Sequence, residues 1–258
     1  MGAIISIHSF RGGTGKSNIT ANLAYCCAST GLRVGVVDTD IQSPGVHVIF
    51  GLKESSMKYC LNDYLEGKCS INDAVYDVSE KHRLSLGSLN LIPSRLRAEE
   101  IVKMLKEGFD VPRLSRGVSE LLEKFLLDIL FIDTHPGIED ETLLSIAISD
   151  TLIVILRPDE QDYLGTAITL EIAKRMEVPQ IYLIANRVPV EFDAEQLKKN
   201  LEETYRLPVI GAVPFSYGCM LAQSREVYCL ASPEDPFSKA LKTIAEKIVE
   251  SNKQKHDT

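Results

Sequence analysis

Residues 3–18 read Ala-Ile-Ile-Ser-Ile-His-Ser-Phe-Arg-Gly-Gly-Thr-Gly-Lys-Ser-Asn, an apolar run that enters a glycine-rich turn and leaves it as a helix. Gly12, Gly13 and Gly15 lack a Cβ, so backbone N–H groups are free to converge on phosphate oxygens. The helix that follows brings the positive end of its dipole to the same point. Lys16 supplies a full charge between the β- and γ-phosphates of a nucleoside triphosphate, and the Ser17 hydroxyl is placed to ligate Mg²⁺. The common pattern G-x-x-x-x-G-K-[ST] fails at its first glycine, where Phe10 stands, and the variant x-[KR]-G-G-x-G-K-[ST] survives. A glycine turn with a purely structural role would not require the strand before it, the helix after it and the Gly-Lys-Ser core together.

Outward from this loop, strand-like runs alternate with helical patterns. The expected strands are Ala3–His8, Arg33–Asp38, Ser88–Pro93, Ile129–Asp133, Thr151–Leu156, Gln180–Ala185 and Pro208–Val213. Most are unbroken Ile/Val/Leu runs, which suits strands buried on both faces. Helical stretches such as Lys16–Ser29 and Asp162–Met176 lie between them, and this alternation makes βαβ units. The expected fold is α/β: a single doubly wound, mainly parallel sheet flanked by helices, as in a P-loop NTPase. One domain over residues 1–250 is expected, then a polar, frayed tail over 251–258. Residues 53–127 break the rhythm and read as the elaborated part, where specificity usually sits.

With 258 residues, 45% of them hydrophobic and 25% charged, the chain can bury a large core and is not disordered as a whole. Its formal net charge of −8 argues against a dedicated DNA reader, because such proteins are usually basic overall. None of the six cysteines stands in CxxC spacing. The first apolar run is too short for a signal peptide, and no stretch approaches the ~20 apolar residues of a membrane span. Reduced thiols in the cytoplasm are the expectation.

Magnesium needs an acidic anchor, and hydrolysis needs a water held in line with the γ-phosphate. Ile129–Asp133 is a hydrophobic strand ending in a carboxylate, followed by Thr134-His135-Pro136-Gly137. Asp133 is the expected second anchor of Mg²⁺, through a water, with the Gly137 backbone near the γ-phosphate. The second strand ends Val37-Asp38-Thr39-Asp40-Ile41-Gln42-Ser43-Pro44. Two carboxylates at i and i+2 share one face of an extended segment and point into the crevice at the carboxyl end of a parallel sheet.

Together, the RGGTGKS loop, the DTDIQSP and FIDTHPG segments, Asn186 and Pro214 resemble the ParA/MinD family of deviant Walker-type ATPases over most of the chain. The resemblance implies an ATP- and Mg²⁺-dependent hydrolase that closes a two-fold sandwich homodimer on ATP and opens it after hydrolysis. In the family this cycle positions plasmids, division proteins or other cargo on the nucleoid or membrane, and an adaptor or activating protein is a usual partner. It further implies that Arg11, Gly12, Gly13, Thr14, Gly15, Lys16, Ser17 and Asn18 cradle the phosphates. Asp133 and Ser17 would hold the metal, supported by Asp38, and Asp40 would orient the attacking water. Asn186 and Arg187, with Pro214 and Phe215, would line the adenine pocket. Arg11 replaces the family's usual lysine, which reaches the partner's phosphates; arginine keeps the charge in a longer, planar fork. Some carboxysome-positioning members also depart from that lysine. The segment Asp-Ile-Gln stands where the family has Asp-Pro-Gln, between the ParA and MinD forms.

MinD-like members bind membranes through a C-terminal amphipathic helix. Here Phe237, Ala240, Leu241, Ile244 and Ile248 form an apolar stripe, but no aromatic or Leu-rich extension follows it, so packing on the parent domain is expected. For DNA the better segment is 81–116, where Lys81, Arg83, Arg95, Arg97, Lys103, Lys106, Arg113 and Arg116 face Glu99, Glu100, Glu107 and Asp110, eight minus four or +4. A dimer would double such a patch and make salt-sensitive, nonspecific DNA binding depend on ATP. Nucleoid association in the cytoplasm is the matching location. Three other readings stand beside this one. A nitrogenase-reductase-like iron–sulfur protein needs cysteines near the Asp133 strand, and none lies between Cys69 and Cys219. A small-molecule kinase or ligase shares the loop chemistry but needs a second constellation. A nucleotide-gated binding module that hardly turns over is suggested by Arg11.

Overall fold

The Ile-rich run Ala3–His8 (β1) takes a central place in an eight-stranded sheet in the computed structural model, which describes residues 2–96 and 110–256. The other strands are Arg33–Asp38 (β2), Tyr76–Asp77 (β3), Ser88–Ile92 (β4), Ile129–Asp133 (β5), Thr151–Leu156 (β6), Gln180–Val188 (β7) and Val209–Pro214 (β8). They lie in the order β3-β4-β2-β5-β1-β6-β7-β8, all parallel except the short edge pairing of β3 with β4. All seven expected strands are present. The two-residue β3 carries no period that sequence reading detects, and β7 runs three residues beyond the expected Ala185 because a bulge lets it continue to Val188.

Successive residues of β2 and β5 bury into opposite layers. Val36 and Phe131 join one cluster, while Val37 and Ile132 join another. Lys16–Ser29 (α1) and the long Pro236–His256 (α10) cover the first face. Val46–Ile49 (α2) adjoins α1, and Leu61–Leu65 (α3) and Val111–Lys124 (α4) cover the opposite face. Asp140–Ala147 (α5), Glu160–Arg175 (α6) and Ala194–Tyr205 (α7) continue the alternation, and two short helices, Tyr217–Leu221 (α8) and Tyr228–Ala231 (α9), precede α10. The strand order reverses around β1, which pairs with β5 on one side and β6 on the other. That reversal opens a crevice at the carboxyl ends of the strands, where the glycine loop sits.

The C-terminal stripe is spent inside the fold. Phe237, Leu241, Ile244 and Ile248 are all 5% exposed or less, and α10 packs on α1 and β8. Gly211 leaves room for it, because a Cβ there would come within 2.3 Å of Ile244 Cδ1. The expected frayed tail is corrected. Ser251–His256 continue the helix, since Asn252 falls one turn beyond the Ile248 stripe and is buried with it.

The cationic segment does not form one surface among the described residues. Arg97, Lys103 and Lys106, with Glu99, Glu100 and Glu107, lie outside them. Arg95 Nη2 donates to the Met57 carbonyl at 3.0 Å, and the Arg113 guanidinium sits 4.8 Å from the centre of the Tyr64 ring. Lys81 and Arg83 precede β4 and Arg95 follows it, so they stand at opposite ends of a strand.

Leu241→Ala is expected to cost about 2–5 kcal/mol, as for other large-to-small changes in a packed core. Urea unfolding measures this, and an unchanged midpoint would make α10 peripheral to the fold.

Candidate active site

The turn between β1 and α1 is built on two left-handed glycines, Gly13 at φ 79 and Gly15 at φ 93. Gly15 is required on a second ground: a Cβ there would lie 2.6 Å from Asn186 Nδ2, which donates to the Thr14 carbonyl at 2.7 Å. Phe10, standing where many phosphate loops have glycine, lays its ring on Gly165 of α6, where any Cβ would come within 2.0 Å of it. The departure from the common pattern therefore serves loop-to-helix packing. Gly12 lies against Pro136, and the Gly137 N–H donates to the Ser9 carbonyl at 3.2 Å, so the turn after β5 rests on the loop.

Lys16 is buried, with Nζ 3.1 Å from Asp133 Oδ1 and 3.9 Å from Asp40 Oδ2. No acceptor meets it with hydrogen-bond geometry. A buried ammonium held by charge alone is under-satisfied, and phosphate oxygens are the acceptors that such a position suits. Ser17 Oγ donates to Asp133 Oδ2 at 2.7 Å, and Thr20 Oγ1, one turn on, donates to Oδ1 at 2.7 Å. A hydroxyl and a carboxylate in contact at the loop are hard oxygen donors, the set that Mg²⁺ takes.

Asp38 and Asp40 do different work. The Asp38 carboxylate turns back on its own loop, accepting from Asp40 N at 3.1 Å, Gly45 N at 3.1 Å and Val46 N at 3.3 Å. Burial, then the Asp133 charge, push its pKa well above the ordinary carboxylate range. Asp38 thereby clasps the loop that carries Asp40. Asp40 Oδ1 accepts from His135 Nδ1 at 2.8 Å and from Ser43 N and Oγ at 3.0 Å each. Burial alone would raise its pKa, but the His135 hydrogen bond and the Lys16 charge hold it below the usual value. His135 also reaches Glu139 Oε1 at 3.9 Å. His8, fully buried under the loop, bonds Thr134 Oγ1 at 2.8 Å, and burial, Lys16 and His135 drop its pKa to about 3. His135, His8 and Thr20 were not among the expected site residues. The two histidines flank the loop and the Asp133 strand in the sequence, and that adjacency was the available signal.

Arg11 lies half-exposed on its own chain. Its Nη1 is 3.5 Å from Asp162 Oδ1 and 3.7 Å from Asp159 Oδ1. Arg157 binds Asp162 more closely, through its backbone N–H at 2.9 Å and Nε at 3.1 Å.

Beside the loop a cavity of about 230 Å³ is lined by Gly15, Asn18, Asn186, Arg187, Pro214 and Phe215, with Met220, Ser224 and Phe237 among its other walls. All the expected adenine-pocket residues meet here. The β7 bulge explains how: Arg187 takes φ 56, which re-aims the strand end and turns Asn186 under the loop. Asn18 Nδ2 donates to Ser224 Oγ at 2.8 Å and ties α1 to the far wall.

Known proteins resemble this chain in sequence and in fold. A family model for ParA, described as the NUBPL iron-transfer P-loop NTPase, matches residues 1–249. An ATP-binding protein of Methanocaldococcus jannaschii is 32% identical over 96% of this chain and 88% of its own. The flagellum site-determining protein YlxH of Helicobacter pylori is 30% identical over 95% and 81%. An iron–sulfur cluster carrier protein of Pyrococcus furiosus is 26% identical over 97% and 86%. Among solved structures, the cell division ATPase MinD of Pyrococcus furiosus shares the fold with a TM-score of 0.81 at 22% identity, covering 97% of this chain and 99% of that one. The septum site-determining protein MinD of Pyrococcus horikoshii, complexed with Mg-ADP, follows with a TM-score of 0.79 at 21% identity, covering 96% of each.

The buried neutral His8 couples stability to acidity. Between pH 6.5 and about 3 the unfolded histidine binds a proton that the folded one refuses, so stability rises with pH across that window and falls on acidification. Its limiting contribution is about 1.4 kcal/mol per pH unit. Urea melts of the parent and His8→Asn from pH 7 to 5 should show a shallower slope in the variant; parallel slopes would mean that His8 protonates in the folded state.

Proposed function

The chain belongs to the ParA family of P-loop NTPases, and on that premise we propose that it hydrolyses ATP with Mg²⁺ as a dimerising switch that positions a cellular cargo. The observation that carries this reading is the under-satisfied Lys16 ammonium beside Ser17, Asp133 and Asp40, on the same glycine loop whose Gly15 lines the cavity with Asn186 and Pro214. Lys16 and the Gly12–Ser17 backbone would bind the phosphates, and Asn186, Arg187, Pro214 and Phe215 would hold the base. Ser17 and Asp133 would hold Mg²⁺, which when bound neutralises charge on the phosphate oxygens. Asp40 is the group placed to accept a hydrogen bond from an attacking water. His135 keeps it ionised and fixes its direction, a positioning role. Arg11 would leave Asp159 and Asp162 to meet the partner's phosphates across the dimer.

Positioning is favoured by relatives such as the flagellum site-determining protein. DNA is favoured over membrane as the matrix because the α10 apolar stripe is buried against α1 and β8. The Pyrococcus carrier supports a second reading, iron–sulfur cluster carriage. Cluster ligation needs thiolates, and burial raises the thiols of Cys60 and Cys219 to about 11 and that of Cys27 to about 12. Among the described residues no three metal-binding side chains converge. Positioning is therefore the reading we carry.

Lys16→Ala should abolish ATP binding in equilibrium dialysis, and retained affinity would sink the loop assignment. Asp40→Ala should bind ATP as the parent does, lose turnover about 10²-fold or more, and accumulate as the dimer in light scattering. Normal phosphate release in that variant would remove Asp40 from its role. Arg11→Ala should weaken dimerisation more than nucleotide binding; an unchanged dimer constant would end its role across the interface.

A further inference from the structure

A second hollow, of about 410 Å³, opens beside α1 between the end of α2, the Lys81–Arg83 turn and α9. It shares no lining residue with the nucleotide cavity. Ile49, Phe50 and Val227, all nearly inaccessible, make an apolar floor, and Lys81, Arg83 and Arg225 stand around it. Glu226 is the acid of the wall, so the lining carries three cations against one anion in a chain of net charge −8.

These cations are only partly used. Lys81 Nζ donates to the Gly51 carbonyl beyond α2 and keeps two further N–H groups. Arg83 and Arg225 are exposed, and neither has a carboxylate partner among the described residues. His82 completes the wall, packed 5.4 Å from the Phe50 ring and 6.5 Å from the Tyr25 ring, centre to centre. It is 5% exposed; one ring nitrogen meets the Phe50 backbone, and Nε2 is buried without a partner. Two guanidinium forks suit phosphate oxygens, which they grip bidentately. The apolar floor of Ile49, Phe50 and Val227 among these cations gives the body of a small ligand a surface to rest on, which a tract following only a nucleic-acid backbone does not need.

We propose that this hollow is a second ligand site, for a small phosphate ester, separate from the nucleotide cavity. The test titrates glycerol 3-phosphate into the full chain with its nucleotide site saturated by Mg-ADP, followed by calorimetry. One saturable site per chain is expected, with inorganic phosphate binding more weakly. Arg83→Gln and Arg225→Gln, both at exposed positions, should each weaken it about tenfold, the size of one lost charge-assisted hydrogen bond. Absence of saturation up to about 10 mM, in the weak-affinity range, would overturn the proposal. Parent-like affinity in both arginine variants would do the same. So would loss of the site in Lys16→Ala alone, which would place the ester in the nucleotide cavity. Duplex DNA retention lost in the arginine variants, with glycerol 3-phosphate binding intact, would overturn it in favour of a nucleic-acid tract.

Discussion

A buried ammonium between two carboxylates is the constraint on which the rest of this molecule is arranged. Lys16 lies 3.1 Å from Asp133 and 3.9 Å from Asp40, all three shielded from solvent. Removing such charges from water costs several kcal/mol each unless geometry and hydrogen bonds offset it. The sheet supplies that geometry. Pairing of β5 with both β1 and β2 sets Asp133 level with Ile7 and Asp38, so loop and carboxylates arrive at one end of adjacent strands. Ser17 and Thr20 then satisfy Asp133, and His135 and Ser43 satisfy Asp40, while the lysine stays short of acceptors.

The parts of this arrangement legible in the sequence were those whose signal is local. The unbroken apolar strands and the loop between β1 and α1 each carry their own period or composition, and all fell within two or three residues of where they stand. The grouping of Asn186, Arg187, Pro214 and Phe215 came from resemblance, and they meet in one cavity because a bulge in β7 re-aims the end of that strand. What was not legible depends on contacts between distant segments. The His135–Asp40 hydrogen bond joins residues 95 positions apart. The pairing of Asp38 with Asp40 on one face presumed an extended backbone, but β2 ends at Asp38, where Thr39 N–H bonds the Asp133 carbonyl and the chain turns. One carboxylate thus faces inward to the loop and the other faces Lys16. The polar tail read as frayed because its composition is polar; the helix persists there because its buried stripe continues one more turn.

The same machinery serves relatives with different tasks, from placing a flagellum to carrying an iron–sulfur cluster. Function in such a fold is written on the surfaces around a shared engine. In this chain the candidate surfaces are the helical layer of α3 and α4, the exposed apolar residues Phe215, Tyr217, Met220 and Leu221, of which Phe215 and Met220 line the cavity, and the cationic hollow beside α1.

Arg11 is held more loosely than its neighbours. Asp162 draws its main support from Arg157, through a backbone N–H and the guanidinium edge, and holds Arg11 only by a long contact of 3.5 Å. Departure of Arg11 therefore strands no buried anion. The arginine sits in a loose holster, free to swing away without disturbing the helix that carries Asp162.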